Sequence, residues 1–316
     1  MNTPLIEATG LTKEYRLASG KKVHAVSDVS LQIFRGETLG LVGESGCGKS
    51  TLGRALIGLN PPTAGEVRFE GAPITGLGER AFRAYRRRMQ MIFQDPYASL
   101  DPRMTVQEIV AEPLKTYKVC KTREELSARV GALLDAVGIP REYRDRYPHQ
   151  FSGGQRQRVG IARAIALDPD LIVCDEPVSA LDVSVQNQIL NLLKSLQRER
   201  GLTYLFISHD LSVVRFLSDR VCVMFLGSLC ELGDTAGVYE NPLHPYTRFL
   251  LDAIPKPDPR TRGEERLLLS GDLPSPINPP GGCRFHTRCP YATGRCRTEA
   301  PRLREVAGRL VACHRA

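Results

Sequence analysis

Between Gly43 and Ser50 the chain reads Gly-Glu-Ser-Gly-Cys-Gly-Lys-Ser, a G-x-x-x-x-G-K-S spacing. Glycines here let successive backbone N–H groups turn toward an anion, and a helix N-terminus following the loop adds its positive end. Lys49 is placed to reach the outer phosphates of a nucleoside triphosphate, and the Ser50 hydroxyl to ligate Mg²⁺. Gly43, Ser45, Gly46, Cys47, Gly48 and Thr51 complete the candidate loop. A second group, Leu171-Ile-Val-Cys-Asp175-Glu176, ends an apolar run in two carboxylates. At the carboxyl end of a strand, Asp175 is a candidate Mg²⁺ ligand and Glu176 a candidate general base on water. A third, Phe151-Ser152-Gly153-Gly154-Gln155, precedes a strong helical pattern and makes a second anion-binding device. One nucleotide does not need two such devices from one subunit, so this one is expected to face a nucleotide held by another chain. Cys47, at a helix N-terminus beside Lys49, is expected to be a reactive thiol, sensitive to N-ethylmaleimide and protected by bound nucleotide.

The elements that must position these groups can be read along the chain. Short apolar runs at Glu37–Val42, Met89–Phe93, Leu171–Cys174 and Tyr204–Ile207 alternate with helical patterns such as Ser50–Leu59 and Gln155–Leu167. That pattern predicts an α/β fold with a mostly parallel sheet covered on both faces. Leu5–Thr9, Val29–Ile33 and Glu66–Phe69 alternate more and read as an antiparallel N-terminal subdomain, whereas residues ~95–168 read as a helical insert. The 316 residues are 42% hydrophobic and 25% charged, which excludes disorder or coiled coil as the main description. No apolar run approaches the ~18 residues of a membrane span, and the N-terminus lacks a signal-peptide pattern. Of the net charge of +8, residues 255–316 supply +6, from 12 Lys and Arg against 6 Asp and Glu. A charge so unevenly placed argues against a nucleic-acid binder. The same 62 residues hold nine of the 22 prolines and four of the nine cysteines, so a boundary is placed near Pro255. It divides a nucleotide-binding domain, 1–254, from an extension, 255–316.

The phosphate loop, the Phe-Ser-Gly-Gly-Gln segment and the Asp-Glu strand occur in an order that resembles the ATP-binding-cassette (ABC) ATPases, whose signature is L-S-G-G-Q. Phe151 stands for the usual Leu. The resemblance extends to Gln94 as the Q-loop, Ser179-Ala-Leu-Asp182 as the D-loop, and His209 as the switch histidine. Tyr15, in a stretch that reads as loop, matches the adenine-stacking aromatic. It implies that two cassettes sandwich two ATP, with Ser152, Gly153, Gly154 and Gln155 of one facing the γ-phosphate held by Lys49 of the other. It further implies that His209 stabilises transition-state charge and that Gln94 senses the γ-phosphate and Mg²⁺. Only 103 positions separate Lys49 from Ser152, unlike the chromosome-maintenance ATPases, in which a long coiled coil intervenes. Asn241-Pro-Leu-His-Pro-Tyr-Thr247, Leu273-Pro-Ser-Pro-Ile-Asn-Pro-Pro280 and Gln94–Arg103 resemble the ATPases of bacterial dipeptide and oligopeptide importers. The likeness is to the second of the two paralogous ATPases in such systems. It implies as partners a paralogous ATPase, two membrane permeases and, indirectly, an extracytoplasmic peptide-binding protein, at the cytoplasmic face of the inner membrane. Related importers for nickel or another small solute, and a soluble regulatory ATPase, are the alternative readings.

The extension carries Cys283, Cys289, Cys296 and Cys313, spaced C-x5-C-x6-C-x16-C. No tight C-x2-4-C pair of the usual zinc site is present. Cys289-Pro290 fits iron–sulfur usage, and Arg284, Arg288, Arg295 and Arg297 would offset a cluster's negative charge. The importer resemblance implies a [4Fe–4S] cluster at these cysteines, with zinc, aided by His286 or His314, and free thiols as alternatives. The remaining cysteines, Cys47 excepted, read as small core residues.

Overall fold

The computed structural model describes residues 3–254 and 274–316. The boundary near Pro255, and Leu273 of the proline-rich motif, lie outside the described residues. Two compact units are present, Met1–Gly76 with Ile207–Ala316, and Leu77–Phe206.

The first unit opens with the antiparallel strands β1 (Ile6–Arg16) and β2 (Lys22–Ile33). Next come β3 (Thr38–Val42), α1 (Lys49–Leu56), β4 (Ala64–Phe69) and β5 (Ala72–Pro73). Strands β2, β1, β4 and β5 form, in that order, the expected antiparallel sheet. Strand β1 is longer than its alternating pattern suggested. It runs on through Tyr15, which pairs with Val23, so the stretch read as loop is ladder. Strand β3 is buried at all five positions, as a strand covered on both faces must be. Helix α1 stops short of the expected Leu59. Gly58, at φ 69°, turns the chain and donates to the Ala55 carbonyl, which ends the helix by a left-handed cap.

The second unit holds α2 (Glu79–Arg88), β6 (Met89–Ile92), α3 (Pro96–Ser99), α4 (Val106–Thr116), α5 (Arg123–Ala136) and α6 (Gly153–Ile165). It closes with β7 (Leu171–Asp175), α7 (Val183–Arg200) and β8 (Thr203–Ile207). Its strands lie in the order β8-β7-β6, with β6 and β7 parallel. The expected helical insert is α3 to α6. Helix α4 starts at a capping box between Thr105 and Glu108.

The chain then returns to the first unit as α8 (Leu211–Leu217), β9 (Arg220–Phe225), β10 (Ser228–Asp234), α9 (Thr235–Glu240) and α10 (Pro245–Asp252). The C-terminal segment adds α11 (Gly294–Thr298), β11 (Arg304–Val306) and β12 (Arg309–Val311). The sheet order here is β11-β12-β10-β9-β3. Strands β3 and β9 pair in parallel, and β10, β12 and β11 extend the sheet by antiparallel pairing. Among the described residues no helix is long and apolar enough to cross a membrane.

The C-terminal segment is fastened by charge as well as by pairing. The Arg309 guanidinium donates to Glu231 Oε1 at 3.1 Å, with side chains only 5% and 0% exposed. Glu231 also accepts the Leu243 and His244 backbone N–H groups, and Arg309 also donates to the Gly237 and Asn241 carbonyls. Such a pair is tolerable because its hydrogen bonds are filled, and removing one partner strands the other. Arg309→Ala should therefore destabilise the first unit by about 3–5 kcal/mol, seen as a large fall in melting temperature. A fall equivalent to less than about 1 kcal/mol, the range of an exposed pair, would show that the pair is not a fastening.

Candidate functional site

In the first unit β3 delivers the chain into the phosphate loop and α1 leaves it. Gly43 has φ 151°, and a Cβ there would lie 2.1 Å from the Met224 carbonyl oxygen of β9. Gly48 has φ 106°, and a Cβ there would lie 2.0 Å from the Ala25 carbonyl oxygen of β2. The loop is thus clamped between two backbones that leave no room for a side chain. Lys49 is 4% exposed. Its ammonium donates to the Gly43 carbonyl at 2.8 Å and the Glu44 carbonyl at 3.0 Å. Ser45 and Gly46 are exposed at the loop tip, and Ser50 and Thr51 are half-buried on the first turn of α1.

The expectation for Cys47 is overturned. Its side chain is 2% exposed, and its Sγ stands 4.0 Å from Lys49 Nζ. Burial pushes the thiol above its ordinary pKa, and the attraction of Lys49 offsets this only in part. Helix end and lysine argued for a thiolate, but desolvation dominates. Cys174, Cys222 and Cys230 are buried with raised pKa values, as core cysteines should be, Cys222 reaching about 12. Cys120 is half-buried, not in the core.

Tyr15 is 37% exposed on β1, with Lys13 Nζ 5.2 Å from its ring centroid and the Asn60 amide donating to its Oη at 3.4 Å. His209 follows β8 and is exposed, while its neighbour Asp210 caps α8 by accepting the Ser212 and Val213 N–H groups.

In the second unit β7 ends on Asp175, which is fully buried. Glu176 follows at φ 45°, the left-handed region that a glutamate adopts only when held there. The Ser179 backbone N–H and hydroxyl both donate to its carbonyl. The Gln94 amide, just after β6, donates to Glu176 Oε2 at 3.0 Å. The structure thus joins the predicted Q-loop glutamine to the predicted general base.

Ser152 is the N-cap of α6. Its hydroxyl accepts the Gln155 N–H, and the Gln155 side chain accepts the Ser152 N–H at 3.0 Å. Gly154 must be glycine, since a Cβ would sit 2.3 Å from Val185 Cγ1 on α7. Phe151 is buried and meets Tyr143 edge-on at 6.0 Å, so an apolar residue is required there. Asp182 caps α7 through the Val185 N–H, and the Ser184 hydroxyl bond holds its carboxyl below the usual range.

Several connecting residues carried no sequence signal. The Arg156 guanidinium on α6 lies over the Tyr97 ring at 3.7 Å, and Arg163 donates to the Ser99 carbonyl at 2.6 Å. Both tie α6 to the segment that follows Gln94. In the first unit, Tyr246 Oη accepts the Glu44 N–H and Arg288 reaches the Glu44 carboxylate.

Cys283, Cys289, Cys296 and Cys313 line one cavity with His244, Phe285, His286 and His314. None of the four is in a disulfide. The Arg315 N–H donates to Cys313 Sγ, and the Phe285 and Tyr291 N–H groups approach Cys283 and Cys289 in the same way. The Thr293 hydroxyl lies 3.3 Å from Cys296 Sγ. Burial pushes the Cys283 thiol up to about 11. Among the described residues, no three His, Cys, Asp or Glu side chains are close enough to hold one metal ion.

The family described as ABC transporter matches residues 26–179, and that described as oligopeptide/dipeptide transporter, C-terminal region, matches residues 230–296. The oligopeptide transport ATP-binding protein OppF of Escherichia coli (strain K12) is 52% identical, over 98% of this chain and 95% of that protein. The chain belongs to the ABC transporter ATP-binding proteins. The oligopeptide transport ATP-binding protein AppF of Bacillus subtilis (strain 168) is 51% identical over 98% of this chain and 97% of its own. A dimeric structure of MJ0796, a bacterial ABC transporter cassette, matches with TM-score 0.67 at 33% identity, covering 73% of this chain and 98% of that one. The fold is therefore that of an ABC cassette, and the family's activity is ATP hydrolysis.

With Cys47 this deeply buried, N-ethylmaleimide should leave it unmodified in the native protein and label it after denaturation, as read by peptide mass spectrometry. Labelling of native Cys47 at the denatured rate would contradict the packing described.

Proposed function

We propose that this chain is an ATP-hydrolysing subunit that powers uptake of di- and oligopeptides. The observation that carries this reading is the co-occurrence, in one chain, of the phosphate loop and a C-terminal region matching oligopeptide/dipeptide transporters over residues 230–296. On this reading residues 1–254 form the nucleotide-binding domain and 255–316 an importer-specific extension. Lys49 exchanges its loop carbonyls for the β- and γ-phosphates of ATP, and Tyr15 stacks on the adenine. Ser50, Asp175 and Gln94 would hold Mg²⁺, which offsets the phosphate charge when bound. Glu176, aimed by its left-handed backbone and held by Gln94, takes the proton of the attacking water. His209 stabilises charge developing on the γ-phosphate. Ser152, Gly153, Gly154, Gln155 and Asp182 face the nucleotide held by a paralogous ATPase. Closure on ATP and release after hydrolysis then drive two permease subunits. The chain works at the cytoplasmic face of the bacterial inner membrane, downstream of an extracytoplasmic peptide-binding protein.

What supports a [4Fe–4S] cluster, with zinc as the alternative, is that four cysteines line one cavity and each has a nearby N–H or O–H group suited to a thiolate. A cluster there would supply a rigid, covalently bound core for the segment.

Glu176→Gln should keep ATP binding and slow steady-state hydrolysis by at least ~10²-fold in the assembled complex, trapping the closed dimer. Near-normal turnover would remove Glu176 from its role. Protein prepared without oxygen should carry about four irons with broad visible absorbance, lost in Cys289→Ser. Stoichiometric zinc without iron would contradict the cluster.

A further inference from the structure

Glu44, the second residue of the phosphate loop, is fixed at three points. Its N–H donates to Tyr246 Oη at 3.0 Å, its carbonyl accepts Lys49 Nζ at 3.0 Å, and its carboxylate accepts Arg288 Nη1 at 3.0 and 2.9 Å. Arg288 comes from the C-terminal segment, 244 positions away, and its side chain is 9% exposed. Its guanidinium lies 6.0 Å from the Phe225 ring, and its Nε is buried with no partner. Its backbone N–H donates to the carbonyl of Phe285. Phe285 is 2% exposed and packs edge-on against Phe225 at 5.3 Å and against Tyr246 at 5.3 Å. Phe285 and Cys289, the residue after Arg288, both line the thiol cavity. A continuous chain of contacts thus runs from the cysteine segment to the carbonyl that holds Lys49.

The charges make this more than a fastening. Among the described residues Arg288 is the one cation paired with the Glu44 carboxylate. Without it, a partly buried anion would sit in a loop that must receive a triphosphate. It would repel the ligand and be free to draw the loop toward water. The Arg288 Nε is buried without a partner, so the pair is short of full hydrogen bonding.

We propose that Arg288 is a positioning residue of the nucleotide site. It neutralises and anchors Glu44, so the folded cysteine segment sets how tightly the loop binds nucleotide. This rests on the reading that the Gly43–Ser50 loop binds ATP. The test is calorimetric titration of the full chain with MgATP, alongside thermal melting. Arg288→Ala and the polar but uncharged Arg288→Gln should each weaken binding about tenfold, toward the low end of coupling between sites. Arg288→Lys should recover part of the loss. Combining Glu44→Gln with Arg288→Gln should recover most of the affinity lost in Arg288→Gln alone, to within about twofold of the parent, because no unpaired carboxylate then faces the triphosphate. Loss of packing alone would not be rescued by neutralising Glu44. Parental affinity in Arg288→Gln, or no rescue in the double variant, overturns the proposal while leaving the ATP reading intact. No binding by the parent would overturn both.

Discussion

A buried ammonium must fill its hydrogen bonds, and most of what surrounds the phosphate loop follows from that for Lys49. The Gly43 and Glu44 carbonyls can reach it only if the loop turns inward. It turns inward only because Gly43 and Gly48 press against the carbonyls of Met224 and Ala25, where any Cβ would collide. Those carbonyls belong to β9 and β2, so strand pairing, glycine placement and the position of the charge form one constraint. The same packing buries Cys47 and removes the reactivity that its place at a helix end and beside a lysine suggested.

The second unit solves a different problem. A carboxylate proposed for water chemistry has to stand off the end of a buried strand without folding back. The left-handed backbone at Glu176, fixed by Ser179, turns the side chain out of line with β7, and Gln94 holds one of its oxygens. The segment after Gln94 is in turn braced by Arg156 and Arg163 from α6, whose first turn is the Ser152–Gln155 capping box. The Ser152–Gln155 capping box and the segment after Gln94 are therefore linked through α6 within one unit.

Much of this was legible in the sequence, because the loop, the Asp-Glu strand end and the capped helix are local patterns whose residue types are dictated by backbone geometry. The parallel strands were legible as short apolar runs. What stayed hidden was long-range. The β11–β12 hairpin is made of three-residue strands with no pattern of their own, and the Arg309–Glu231 and Arg288–Glu44 pairs join residues 78 and 244 positions apart. The burial of Cys47 depends on which backbones cover the loop, which composition and spacing do not encode. Tyr15 was misread as loop because its strand continues through charged residues, Lys13, Glu14 and Arg16, that the ladder tolerates where β1 runs past its pairing with β4, which ends at Thr12.

On the proposed function, nucleotide hydrolysis at the Lys49 loop is coupled to peptide uptake. The direct measurement is peptide accumulation in vesicles containing this chain, its partner ATPase, the permeases and the binding protein, with ATP consumption followed in parallel. Accumulation should require ATP, rise in proportion to hydrolysis, and vanish with Lys49→Ala. Undiminished accumulation with Lys49→Ala, or hydrolysis with no peptide movement under any peptide supplied, would contradict it.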